Sequence, residues 1–366
     1  MTTEENLFTE KATTEQKTTA EPKPMTEQKI ISEPKPMTKF RAPVIDKKTG
    51  KLRKVGSFAI IRAVFGVLGN PKSTHQMFRC FRAAISCFFI PQYAVLFKLK
   101  KIPVVHVDNE LDYKVPFTPL RIKIYLDFLH LWISPMSFIL RRVGLKKASP
   151  YCAQMLDRVT LCYRSSYRMY AYKMTTTNRP KCKVPKEVAA NFRMIRFWDP
   201  HYMCVPSLHI ALVVLAYTYF RKVFAELDLT EEEQLCYNTE LYKNALSIAE
   251  TVLYVKQHSV NCIPAALYMM RCIIPDLFSE DDVKKFIADL FSESDDIKPE
   301  GIAKIRNHIS NLYGRFMEEG KKYATNGEKV KKAPDWEGPV KDWLDSYVAY
   351  EPTAQEQANM ESGKTL

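Results

Sequence analysis

The sequence predicts an all-α fold, a helical bundle with a polar N-terminal tail and small amphipathic C-terminal helices. Two observations carry that prediction. Apolar residues between positions 57 and 274 fall in runs of helix length with helical spacing, and no run of any length alternates apolar with polar. A third feature is local. Pro206-Ser207-Leu208-His209 leads straight into the apolar segment Ile210 to Phe220. Pro206 suits the first turn of a helix, where its missing N–H is not needed.

Composition bounds the function. A chain of 366 residues allows one large domain with appendages, or two smaller ones. Mean hydropathy of −0.25 averages polar ends with an apolar middle. Net charge is +13, from 54 Lys and Arg against 41 Asp and Glu, which favours anionic lipid headgroups or phosphorylated substrates as partners. No zinc-finger, homeodomain or RNP-like pattern points to nucleic acid. Nine cysteines without a C-x-x-C pair read as small buried apolar residues, not a metal site or disulfide framework. The first fifty residues are polar, so no N-terminal signal peptide is expected.

The chain divides into four stretches. Residues 1–54 form a tail with a 12-residue tandem repeat, TEQKTTAEPKPM at Thr14 and TEQKIISEPKPM at Thr26. Such a segment buries too little apolar area to offset its chain entropy, and disorder is expected. It ends in a basic cluster of Lys47, Lys48, Lys51, Arg53 and Lys54, which would hold the N-terminus cytoplasmic if the next segments enter a membrane. Residues 55–275 form the helical domain. Its runs Ser57–Gly69, Phe81–Phe97 and Ile122–Leu140 approach the ~20 residues that span a bilayer, so an integral, multi-pass membrane protein is expected. Tyr151–Met174 is helical but carries Asp157, Arg158, Arg164 and Arg168, which belong inside a bundle or at an interface. Ala225–Asn244 is acidic and reads as an exposed connection before the apolar run Ala245–Ile274. Residues 276–320 hold two amphipathic surface helices, over 281–291 and 302–317. Residues 321–366 form a polar tail with isolated Trp336 and Trp343 and at most partial order.

Three clusters bracket the middle helices: Thr175 to Pro180 (TTTNRP), Phe197 to His209 (FWDPHYMCVPSLH) and Thr251 to Asn261 (TVLYVKQHSVN). They supply two cations, Arg179 and Lys256, one hydroxyl, Ser207, and two imidazoles, His209 and His258. Cations and hydroxyls clamp a phosphate, and two imidazoles can divide nucleophile and acid roles. The first-turn amides before His209 add a natural anion pocket. Asp199 reads as a turn residue ahead of Pro200. His75, His106, His130, His201 and His308 read as satisfied core groups.

In their order and spacing these clusters resemble the type 2 phosphatidic acid phosphatase (PAP2) superfamily, on the side that borders inositolphosphoceramide synthase-like proteins. The resemblance covers Tyr151 to Met270, about a third of the chain. It implies a membrane-embedded helical bundle of PAP2 type and metal-independent hydrolysis of a lipid or isoprenoid phosphate through a phosphohistidine intermediate, with no cofactor. It implies His258 as nucleophile, His209 as the acid that protonates the leaving alkoxide, and Arg179, Ser207, Lys256 and Lys173 as substrate-binding groups. Two positions depart from the family pattern. Cys262 stands where the family has an acidic residue orienting the nucleophile, beside Asn261, and Val252 stands where it has Arg. A headgroup phosphotransferase and a catalytically degenerate membrane scaffold are the alternatives.

Overall fold

The computed structural model describes residues 42–46, 49–227, 229–325 and 335–362. The tandem repeat, Lys47 and Lys48 lie outside the described residues. The chain is mostly helical. In order it forms α1 (Ile60–Leu68), α2 (Pro71–Ala84), a π-helical turn (Ile85–Phe89), α3 (Ile90–Leu96), β1 (Val104–His106), α4 (Ile122–Leu126), α5 (Phe128–Val143), α6 (Leu145–Tyr172), β2 (Met174–Thr176), α7 (Lys186–Trp198), α8 (Leu208–Glu226), α9 (Glu231–Tyr254), α10 (Cys262–Ile273), α11 (Glu280–Asp289), α12 (Pro299–Thr325), α13 (Glu337–Ser346) and α14 (Ala354–Ser362).

The bundle is built around α8. Its apolar residues point in every direction, and Ile210 to Phe220 is buried without a break. Helices α5, α6, α9 and α10 cover it. It is the one helix among the described residues long and apolar enough to cross a membrane, and 78% of its apolar window is buried within the protein. The N-terminal helices wrap outside this core, α2 on α6 and α1 on α5. Pro91 accounts for the π turn between α2 and α3: it has no N–H to give the carbonyl one turn back, and the backbone widens there.

Several expectations are corrected. Ile122–Leu140 is two helices, α4 and α5, because Asp127 ends one and begins the next. Ala225–Asn244 is not an exposed connection; from Glu231 it is the first half of α9. Thr230 and Glu233 form a capping box there, and buried Glu233 pairs with buried Arg142 at 3.2 Å. Asp157, Arg158 and Arg168 of α6 lie towards the surface in ion pairs, with Arg79, Asp276 and Glu337, and Arg164 is exposed. Within the polar C-terminal stretch, residues 335–362 hold α13 and α14. Trp336 and Trp343 are buried, and the Trp343 ring packs on Phe316 of α12 and on Tyr347.

One feature had no trace in the hydrophobic pattern. Strands β1 and β2 pair in parallel, with Val104 opposite Met174 and His106 opposite Thr176, and Met203 adds a bridge to Thr175. Three residues per strand are too few for an alternation to show.

Candidate functional site

That small sheet assembles the site. It lays the first cluster beside the second: Thr175 N donates to Tyr202 O, Cys204 N donates to Thr175 O at 3.2 Å, and Val205 N donates to Thr175 Oγ1 at 2.7 Å. The third cluster straddles the end of α9, where Gln257 N and His258 N both donate to Val252 O. It is tied to the second cluster by Ser207 N donating to Cys262 O, at 3.4 Å.

His258 and His209, 49 positions apart, come together. His258 Nε2 lies 3.4 Å from His209 Nδ1 and 3.3 Å from Ser207 Oγ. His258 Nδ1 lies 3.3 Å from the Cys204 carbonyl oxygen. A carbonyl oxygen only accepts, so this contact puts the proton on Nδ1 and leaves a lone pair on Nε2. The ring is therefore oriented by a backbone carbonyl of the second cluster. Neither Cys262 nor Asn261 orients it: Cys262 is fully buried, and Asn261 binds Val107 O, Tyr347 and His308.

Ser207 is the N-cap of α8 and accepts from Ile210 N, so Pro206 precedes the helix and does not sit in its first turn. The His209 ring is partly exposed at the edge of the site. Tyr125 lies against it with ring centroids 4.5 Å apart, and Phe128 at 4.9 Å. Burial among these rings pushes its pKa down to about 4, and burial together with the neighbouring His209 holds His258 well below the usual imidazole value. Burial thus favours the neutral form of both rings.

Arg179 reaches the site from the first cluster. Its guanidinium bonds to Gln257 Oε1, next to His258, and its buried Nε has no partner among the described residues. Desolvation lowers its pKa, partly opposed by the charge of Asp199. Two of the expected clamps are elsewhere. Lys256 is buried and turns away from the histidines, its Nζ donating at 2.5 Å to the carbonyls of Asp112 and Val115. Lys173 pairs with Asp345 of α13 at 2.5 Å. A carboxylate claims one ammonium group and two backbone carbonyls the other before any substrate could.

The chain matches no protein-family model, no curated protein and no solved structure.

Sequence reasoning missed Tyr125 and Gln257, which touch His209 and Arg179; a lone Tyr and a Gln carry no recognisable signal. Asp199 is the turn residue expected, accepting from His201 N at 2.9 Å. Of the other histidines, His201 bonds to Thr177 at 2.8 Å and His308 to Asn261 at 2.7 Å, as satisfied interior groups do. His75 and His130 are exposed instead, and His106 is half-exposed beside Asp108. Among the described residues no group of three or more His, Cys, Asp and Glu is placed to hold a metal ion.

Proposed function

We propose that the chain is a PAP2-like, metal-independent phosphatase acting on a lipid or isoprenoid phosphate. The observation that carries this reading is the convergence of His258 Nε2, His209 Nδ1 and Ser207 Oγ within 3.4 Å, with Arg179 beside them. In the proposed reaction the His258 Nε2 lone pair attacks phosphorus as the P–O bond to the leaving alkoxide breaks, and His209, having taken a proton from solvent as the anionic phosphate enters beside it, gives that alkoxide its proton. Water then attacks the phosphohistidine, His209 takes the water's proton, and the P–N bond breaks to release phosphate. Arg179 and Ser207 stabilise the equatorial oxygens. A 3.4 Å gap cannot hold a phosphoryl group, so substrate binding requires the His209 ring to swing away from His258.

The domain is read as working at a membrane surface. Helix α8 is the one span candidate among the described residues and 78% of its apolar window is covered by protein, which supports surface association; the multi-pass arrangement is the alternative. Carbonate washing distinguishes the two: a multi-pass chain stays in the pellet. The catalytic reading is tested by phosphate release from phosphatidate in detergent micelles with chelator present. Wild type should turn over and be inhibited by vanadate, a trigonal phosphoryl mimic. If His258→Ala releases phosphate at the wild-type rate, the reading is wrong. Adding diacylglycerol or ceramide and analysing the products separates transfer from hydrolysis. No turnover in either assay would leave the degenerate scaffold.

A further inference from the structure

Between Asp46 and Asp108 the chain carries twelve Lys and Arg and no Asp or Glu. The same stretch forms α1 to α3 and exposes large apolar side chains that a water-facing helix does not need. On α1, Ile61, Val64, Phe65 and Leu68 are exposed at i, i+3, i+4 and i+7, which is one stripe. Its opposite side, Ala63 and Val67, is buried. On α2, Phe78 is 61% and Phe81 64% exposed, three positions apart, while Ser73, Cys80 and Ala83 face the protein. After α3, Phe97 is 66% and Leu99 81% exposed, set among Lys98, Lys100 and Lys101.

The end of α7 joins this surface. The Trp198 ring lies 5.8 Å from Phe89 and 5.2 Å from Phe197, and the Tyr93 hydroxyl bonds to the Phe197 carbonyl. Phe197 and Trp198 are both largely exposed. None of Arg62, Lys72, Arg82, Lys98, Lys100 and Lys101 makes an ion pair among the described residues. Arg79 is paired with Asp157 of α6, but the segment itself holds no carboxylate, and an apolar, aromatic surface interleaved with these other, unpaired cations complements one partner chemistry: an anionic bilayer, whose headgroups take the Lys and Arg while Phe, Leu and Trp enter the acyl boundary.

We infer that α1 to α3, with Phe197 and Trp198, form a docking face for the surface of an anionic membrane. The face lies beside the candidate site. Trp198 precedes Asp199 directly, and Gln92 of α3 accepts from Tyr202 N at 3.1 Å in the second cluster. Docking therefore holds that loop at headgroup depth. The inference does not depend on the chemistry of the histidine pair, and its test reads binding alone.

The test is co-sedimentation of the full-length chain with sucrose-loaded phosphatidylcholine vesicles, with and without phosphatidylserine. Wild type should bind the phosphatidylserine vesicles about tenfold more tightly or better, and lose most of that advantage in high salt, because anionic surfaces attract basic side chains through screened charge. Phe78→Ser with Phe81→Ser, and separately Lys98→Glu with Lys100→Glu, should each weaken binding about tenfold. All four positions are exposed, so thermal melts should match wild type; His258→Ala should bind as wild type does. Three results would overturn the inference: no binding to either vesicle, binding unchanged in both double variants, or a wild-type dimer that the Phe variants split without any vesicle binding.

Discussion

His258 carries its proton on Nδ1 because the atom opposite is the Cys204 carbonyl oxygen, which can only accept. A carbonyl orients the ring without the full charge of a carboxylate, so an imidazolium is poorly supported and the neutral nucleophile is favoured. Cys262→Asp, which the sequence suggests would restore a missing partner, instead buries a carboxylate in an apolar helix start. We expect it to cost stability, about 2 kcal/mol or more, with no gain in phosphate release; melts and turnover check both. Acidity follows from His209. Its folded pKa of about 4 lies below the ordinary imidazole value, so the folded state prefers the neutral ring. That preference stabilises the fold fully above about pH 6.5 and is lost as pH falls through about 4. The slope of stability against pH between 6.5 and 4 should therefore flatten in His209→Gln. If protonated His209 is the acid, kcat/KM should rise as pH falls from 7 towards 5, and a flat profile would sink that role.

At the scale of elements, the links between the clusters matter more than the helices that bear them. Thr175 accepts from Val205 N through its side chain, and β2 passes its backbone bonds to Cys204. Thr175→Val keeps the volume but leaves Val205 N unpaired. It should cost about 1–3 kcal/mol and lower kcat/KM, since the Cys204 carbonyl that holds His258 moves with it. Lys256 belongs to this scale too. It clamps the loop of Asp112 and Val115 to the end of α9, and burial pushes its pKa down to about 8. Lys256→Met should lower the melting temperature and leave KM near the wild-type value, the opposite of a substrate clamp. Lys173→Ala, which releases a pairing with Asp345 and a contact with the Tyr172 ring, should leave turnover unchanged.

For the whole molecule, the C-terminal stretch is part of the domain. Trp343 packs on Phe316 and Tyr347, and the Tyr347 hydroxyl reaches Asn261 and the Asp108 carbonyl, close behind the third cluster. Trp343→Ala should cost about 3 to 5 kcal/mol, as loss of a buried indole does. A chain ending at residue 320 should melt earlier and less cooperatively, which calorimetry would show.

The helices were legible in the sequence where apolar residues recur over three turns or more, on one face as in α6 and α12 or all round as in α8, because the pattern of apolar residues reports burial. His209, His258, Ser207 and Arg179 were legible because their neighbours form recognisable clusters in order. Three-residue strands, a backbone carbonyl as the ring's partner, and the destinations of Lys173 and Lys256 were not. Each depends on contacts between positions dozens to more than a hundred residues apart, and a long, flexible ammonium takes whichever oxygen the fold brings within reach. The sequence by itself determined an all-α chain with two histidines, a serine and an arginine in three clusters between its apolar helices. Only the tertiary structure decided that these four converge, and that the two lysines do not, because local pattern encodes which face is buried and not what it is buried against.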